Sequence, residues 1–416
     1  MTLTVFCTDY GRKNAERKKT WESCFPISLF HYLTISRFKK MKVIIIGASI
    51  SGLYTAYLLA KQGVDVEVYD RMDALGWPSR TLIITGKINE VLDSIPEEMI
   101  LNQVKHLELF SKSRSARLEL SCPDLIVERS RFVEWVARMA EEAGARMILR
   151  YRFEGFAQFG RKVVVTFRNL ETNEAKQIST DILVGADGVQ SAVSQAASRN
   201  GHHVAALVQA RVSLPESQEG DTYRVWFDTN RTNYFYWLIP ESDRVAAVGL
   251  IAEDVRQAKA GLIEFLREKQ LEAIEFQSAI VPMHRFGSAN GAVDSNRNVF
   301  VVGDAAAQVK VTTVGGVVPG LYGARALAQA ILNGRNYRKE LGGLKMELNL
   351  HLLVRHVLNR FSDQDYDELI KMLDGGLKEI LEEWTRDELT QSFLRMIWAE
   401  PRLITLGAKV FLRSIL

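Results

Sequence analysis

From Met41 the chain is apolar for a short run, breaks at a glycine, and then takes up a helical period. Lys42–Ile46 is short and β-branched enough for a parallel strand covered on both faces. Ala56 and Leu59 follow at helical spacing, on the side that would pack on a sheet, and Asp65–Tyr69 reads as a second strand. Two later runs, "DILVGADGVQS" and "NVFVVGDAAAQ", repeat the form of an apolar strand ending in glycine. Between them, "FYWLIP" places Phe235, Trp237 and Ile239 on one face of a strand. After Asn336 the period becomes helical: "YDELIKMLDGGLKEILEEW" has apolar residues at i, i+3 and i+4. The alternation of strands and helices predicts an α/β chain ending in helices.

Composition narrows the classes. At 416 residues, two or three domains are expected. A net charge of +3 argues against a dedicated nucleic-acid binder. The three cysteines, Cys7, Cys24 and Cys122, are far apart and form no CxxC, which excludes a disulfide framework and a thiolate metal site and fits a reducing, cytoplasmic interior. His202 and His203 read as structural or solvated, and no metal site is expected. No stretch reaches the roughly 20 apolar residues of a membrane span. Ile44–Ala60 is not a signal-peptide core, because glycines and serines stand where a turn is needed. Residues 1–40, with the charge run "RKNAERKK", read as an extension without chemistry or as a mis-assigned start ahead of Met41.

The first turn carries chemistry. Gly47, Ser49 and Gly52 follow the G-x-G-x-x-G pattern with serine in the middle, and Asp70 ends the next strand eighteen residues after Gly52. The first glycine permits a tight turn, the helix N-terminus offers free N–H groups to a pyrophosphate, and the carboxylate suits ribose hydroxyls. A nucleophile elbow is excluded, since Ser51 stands where it would need glycine.

The glycine loop, "GADG" at 185–188 and "GD" at 303–304 together resemble the glutathione-reductase-type FAD-binding fold, in the branch that contains aromatic hydroxylases. The resemblance implies FAD, with its adenosine end at the first loop and its ribityl and flavin end near Asp304. It also implies that backbone N–H groups of Gly316 and Val317 stabilise the reduced ring. Ser51, Arg71, Thr81 and Asp187 join Gly47, Ser49, Gly52 and Asp70 as cofactor-binding positions. "IVERSRFVEWVARMAEEAGARM" matches a helix whose arginine, here Arg129, lies against the cofactor, an ion-pairing role being the alternative. Phe153 falls, by spacing, where a backbone contact to adenine is usual.

"VKVTTVGGV" and "FYWLIP…VG" are similar to motifs of the geranylgeranyl reductases. That resemblance implies reduction of isoprenoid double bonds in a lipid or prenylated substrate, with Phe235, Trp237 and Ile239 binding the chain unless they only fill a sheet's core. Burying a C20 tail at ~0.8 kcal/mol per carbon group gives on the order of 10–15 kcal/mol as an upper bound. "RTLII" from Arg80 to Ile84 departs from the family, with Thr81 where a cysteine is usual, and Phe235 replaces a tyrosine. Thr81, Tyr236 or a bound water are therefore the candidate proton donors. NADPH or a ferredoxin-like carrier would supply electrons.

The expected organisation is an extension at 1–40, an FAD-binding Rossmann domain at 41–205 and 292–335, an inserted antiparallel substrate domain at 206–291, and a helical region at 336–416. The basic tail "PRLITLGAKVFLRSIL" either packs on the body or lies on the cytoplasmic membrane face. A flavin monooxygenase or halogenase, and a non-catalytic prenyl-binding escort, are the alternative functions. Oligomeric state is not legible.

Overall fold

Five short apolar runs form one parallel sheet. In the computed structural model, which describes residues 41–197, 201–215, 219–287 and 298–413, β1 (Lys42–Ile46) lies at its centre. On one side are β2 (Asp65–Tyr69) and β6 (Arg146–Ile148); on the other are β10 (Ile182–Gly185) and β16 (Val299–Val301). Nearly every residue of β1 is buried, as expected of a strand covered on both faces. One face is covered by α1 (Ile50–Ala60), α2 (Arg129–Glu142) and α5 (Val317–Asn333). The other is covered by an antiparallel sheet of β7 (Tyr151–Phe159), β8 (Lys162–Asn169) and β9 (Ala175–Thr180). Residues 1–40 lie outside the described residues.

The second large sheet has eight strands in the order β15-β11-β14-β13-β12-β4-β5-β3. It is not confined to residues 206–291. It joins β3 (Thr81–Ile84), β4 (Ile100–Phe110) and β5 (Ser115–Glu128) to β11 (Val204–Ser213), β12 (Thr222–Trp226), β13 (Tyr236–Pro240), β14 (Val245–Ala252) and β15 (Ala273–Pro282). The junction is the parallel pair β12 and β4. The short helix α3 (Ala192–Ala196) follows β10, and α4 (Val255–Glu268) packs on one face of the large sheet through Leu262 and Phe265.

Beyond α5 come α6 (Tyr337–Glu340), α7 (Gly342–Leu358), α8 (Asp363–Lys371), α9 (Gly376–Glu383), α10 (Leu389–Ala399) and α11 (Arg402–Arg413). Ser362 and Asp365 close a reciprocal capping box at the start of α8. The tail helix packs on the body: Leu406 and Val410 are buried with Leu373 and Leu377.

Candidate functional site: a nucleotide edge and an apolar cavity

The register of the parallel sheet brings the glycine turns together. Ile46 pairs with Tyr69 and with Gly185, and Gly185 pairs with Val301, so the loops after β1, β2, β10 and β16 leave from the same edge. Open α/β sheets bind their ligands at this carboxyl end. Gly47 has φ +101°, and a Cβ there would run into the carbonyl of Ala186 and lie 2.8 Å from Asp187 Cα. Only glycine fits a left-handed turn this close to a neighbouring loop. Ser49 caps α1, its hydroxyl accepting the Gly52 N–H at 3.2 Å. Asp70 accepts from the N–H of Ala48 at 2.7 Å and of Met72 at 2.9 Å, which leaves lone pairs on a carboxylate that has about four.

The late loop meets the early one at Ser51. A Cβ on Gly303 would come within 2.6 Å of the Ser51 hydroxyl, and one on Gly320 would collide with it. The turn after β1 and the first turn of α5 are therefore in contact through a small side chain. Gly316 opens α5 without a capping side chain, so N–H groups of its first turn remain free. Pro319 falls within that turn, where its missing N–H costs little.

Asp304 faces two arginines. Burial pushes its carboxyl above the ordinary value, while the charges of Arg80, Arg129 and His202 pull it down. Arg80 is drawn down to about 10 by burial and by Arg129, with Asp304 opposing. Arg129 donates to the carbonyls of Gly76 at 2.7 Å and Pro78 at 3.1 Å. The ring of His202 lies 3.1 Å from the carbonyl of Ala305, next to Asp304, a contact in keeping with a structural histidine.

A cavity of about 970 Å³ starts beside this loop and runs under the C-terminal helices, a volume near the top of the roughly 300–1,000 Å³ usual for small-molecule pockets. Its wall is overwhelmingly apolar, with Leu107, Leu118 and Leu120 from β4 and β5, Val354 from α7, Leu377 from α9 and Leu406 from α11. Polar groups are few: they include Thr312 and Thr313 of the glycine loop, Asp124, Tyr223, His351 and Arg386. Arg386 pairs with Asp124 at 2.7 Å and also contacts the Tyr223 hydroxyl.

The sequence profile of the FAD binding domain family matches residues 40–333. The chain belongs to that family. Among related proteins, digeranylgeranylglycerophospholipid reductase 3 of Methanosphaera stadtmanae is 25% identical over 373 residues, covering 80% of this chain and 91% of the relative. The digeranylgeranylglycerophospholipid reductase of Methanocaldococcus jannaschii is 25% identical over 396 residues, covering 87% and 96%. A geranylgeranyl bacteriochlorophyll reductase-like protein from Thermoplasma acidophilum shares the fold with TM-score 0.71 and 19% identity, over 89% of this chain and 99% of that one. The flavin-dependent halogenase CmlS also shares it, with TM-score 0.60 and 17% identity over 86% and 77%.

FAD is the cofactor of this flavoprotein, and the residues fit it. The turn at Gly47 leaves no room for a Cβ, and Arg80 Nε is buried beside Asp304 without a hydrogen-bond partner among the described residues. The hydroxyl of Thr313, in the loop before Gly316, is likewise buried and unpartnered. Phe153 lies on β7, whose first residue, Tyr151, donates its N–H to the Asp70 carbonyl at 2.9 Å. Asp187 serves its own turn, accepting from Ser191 Oγ at 2.6 Å and Val193 N–H at 3.1 Å. Arg71 is exposed beside Asp70, and Val317 begins α5 next to Gly316.

Three expectations change for the flavoprotein's second sheet. Tyr236 is not at the site: it points to the α4 face, stacked on Phe265 with ring centroids 4.3 Å apart. Its neighbour Trp237 points the other way, as strand alternation requires, into the cluster that holds Val309 and Val314. Phe235, Trp237 and Ile239 do share that face, yet they do not line the cavity; Phe227 stands in front of Phe235, their ring centroids 6.4 Å apart. Thr81 is buried and its hydroxyl donates to Glu241, which also accepts from Arg211 at 3.0 Å. That hydroxyl is already committed. The lining of β4, β5 and α7–α11 was missed as a cavity; its visible signals were the leucines alternating at 107 and 109 and at 118 and 120, and the helical period of residues 366–384.

Proposed function

We propose that this flavoprotein is an FAD-dependent reductase that saturates isoprenoid double bonds of a lipid or prenylated substrate. The observation that carries the reading is the long apolar cavity whose wall includes Thr312 and Thr313, in the loop that leads to the glycine pair. FAD, once reduced, supplies a hydride. The chain's own residues bind the polyprenyl tail along leucine-lined walls, exclude water, and hold Thr312 and Thr313 at the cavity. The names of the related reductases support the same substrate class. NADPH or a small electron carrier reduces the flavin.

The reading includes a peripheral contact with a lipid bilayer. No described helix is long and apolar enough to cross one. Trp398 is 89% exposed on α10, with Phe411 and Leu412 also exposed on α11, beside the cavity wall formed by Leu403 and Leu406. From residue 389 to 413 the chain carries Arg395, Arg402, Lys409 and Arg413 against one acidic residue, Glu400. Each of these cations also lies beside a carboxylate, Glu383, Glu400, Glu368 or Asp365, so the exposed apolar side chains carry the contact. An exposed apolar helix face of this kind suits the surface of a bilayer.

Mass spectrometry of lipids that co-purify with the protein tests the substrate class, together with anaerobic mixing of the dithionite-reduced enzyme with geranylgeranyl lipids. Polyprenyl lipid in the cavity, with alkene reduction matching flavin oxidation, is expected. Flavin that reoxidises only with oxygen would favour a monooxygenase or halogenase, and a protein that takes up no FAD would favour an escort.

A further inference from the structure

One polar chain at the cavity has no task so far. Thr312 Oγ1 lies 2.6 Å from Nδ1 of His351 on α7. The other ring nitrogen, Nε2, stands 3.3 Å from Oε1 of Glu347, one helical turn earlier, a buried charge contact whose angle falls short of a hydrogen bond. Glu347 is fixed in turn at the start of α10, accepting from the N–H groups of Leu389 at 2.6 Å and Thr390 at 2.8 Å and from the Thr390 hydroxyl at 2.5 Å. His351 is 3% exposed, and both it and Thr312 line the cavity. A carboxylate whose charge faces an imidazole, which in turn touches a hydroxyl, is an arrangement by which proteins hand a proton to or from a reacting atom.

Apart from the Thr313 hydroxyl, which is buried and has no partner among the described residues but touches no titratable group that could reload it, the polar groups nearby are closed on themselves. Lys310 pairs with Asp387 at 2.6 Å, Arg386 pairs with Asp124, and the Thr81 hydroxyl is turned to Glu241. Tyr236 faces the opposite side of its sheet. We infer that Glu347, His351 and Thr312 form the relay that delivers a proton to the alkene carbon of a polyprenyl chain in this cavity. This deepens the reductase reading above and rests on it.

The ionised Glu347 keeps a hydrogen on Nε2, so the neutral ring offers its Nδ1 lone pair to the Thr312 hydroxyl. Once the ring is protonated, Nδ1–H donates to Oγ1 and the hydrogen of Thr312 turns to the cavity. In the reaction one alkene carbon takes a hydride with its two electrons from the reduced flavin. The π pair of the alkene bonds the hydrogen leaving Oγ1, and Nδ1–H refills that oxygen. One π bond breaks and two C–H bonds form; the alkene is reduced, the hydride donor is oxidised, and His351 ends neutral until solvent reloads it.

The ring titrates among Glu347 on its own helix, Lys310 of the glycine loop, Asp387 before α10 and His284 after β15. Burial draws it below the ordinary histidine value, Lys310 adds to this, and Glu347 and Asp387 oppose it. The loaded relay is the acid form, so turnover rises only as pH falls below the ordinary histidine value.

The test uses the full-length enzyme, wild type and the variants H351Q, T312V and T312S, with geranylgeraniol and a digeranylgeranyl glyceryl phospholipid as probes. Binding is followed by tryptophan fluorescence and reduction by anaerobic flavin reoxidation from about pH 5 to about pH 8. In the flavin-free protein, nitrogen NMR of the histidine rings is recorded with T312V and E347Q. The relay requires H351Q and T312V to lower the rate by about 10²–10⁴ with probe affinity kept, to abolish the acid-side rise, and T312S to restore both. It also requires the ring's titration to move in E347Q and its Nδ1 signal in T312V. Variants that reduce at the wild-type rate and pH profile, or a ring indifferent to both substitutions, would overturn it. A wild-type enzyme that reduces neither probe ends the reductase reading itself, and the relay with it.

Discussion

Lys310 Nζ lies 2.6 Å from Asp387 Oδ1, with both side chains almost wholly buried. The pair joins the loop that leads to Gly316 with the segment just before α10. Thr85, just after β3, reinforces it, its hydroxyl donating to the second oxygen of Asp387 at 2.6 Å. The C-terminal helices are therefore fastened to the cofactor loop by a desolvated charge pair as well as by apolar contact.

Breaking that pair should be costly. Lys310→Met or Asp387→Asn alone is expected to lower stability by about 3–5 kcal/mol, because an unpaired buried charge or polar group remains. The double variant Lys310→Met/Asp387→Leu should recover much of the loss. Burial works to raise Asp387, but Lys310, Thr85 and Arg386 outweigh it and hold the carboxyl below its ordinary value. Its stabilisation is thus present above the unfolded value, near pH 3.9, and fades as pH falls through the lower folded value. Urea unfolding at neutral and acid pH reads both effects, and the Asp387→Asn curve should lack the acid-side decline owed to this group.

Ser49→Gly should tighten FAD binding. The serine hydroxyl occupies the Gly52 N–H, a donor that a pyrophosphate would otherwise use. Freeing it is expected to gain roughly 1 kcal/mol, about fivefold in Kd by flavin fluorescence titration. Loss of the cap should cost only a few tenths of a kcal/mol in unfolding experiments.

Val354→Trp should shorten the substrate the cavity accepts. Val354 is three residues beyond His351, on the same face of α7, and lines the cavity. Displacing about two carbon groups from an apolar site weakens binding roughly tenfold. KM should rise by that factor for C20 chains and stay unchanged for C10 chains in steady-state assays, with bound flavin retained.

Trp398→Asp/Leu412→Asp should abolish membrane association. Both residues are largely exposed and neither lines the cavity. Flotation with phosphatidylglycerol-containing vesicles should capture the wild type and leave the variant in solution. Thermal stability should change by no more than about 0.5 kcal/mol, as is usual for exposed positions. Equal flotation of both proteins would count against this face.

The nucleotide edge was legible in the sequence because its signals are local. Apolar runs ending in glycine set β1, β10 and β16, and the sheet register did the rest. The alternation of Phe235, Trp237 and Ile239 was equally legible, but not which side of the strand meets the cofactor loop. That depends on α4 claiming the Tyr236 face, a contact that strand parity cannot specify. The cavity was hidden for a similar reason. Its walls join β4 and β5 to helices more than 200 residues later, and Thr312 finds His351 only through the packing of α7.

The strand order β16-β10-β1 also bears on biosynthesis. Until about three hundred residues have left the ribosome, β10 has nothing to pair with on its outer flank. A nascent or truncated chain ending before Val299 would present that strand as a bare, β-branched template for other chains. Fragments cut there should aggregate, and the cofactor pocket is among the last parts of the protein to come into being.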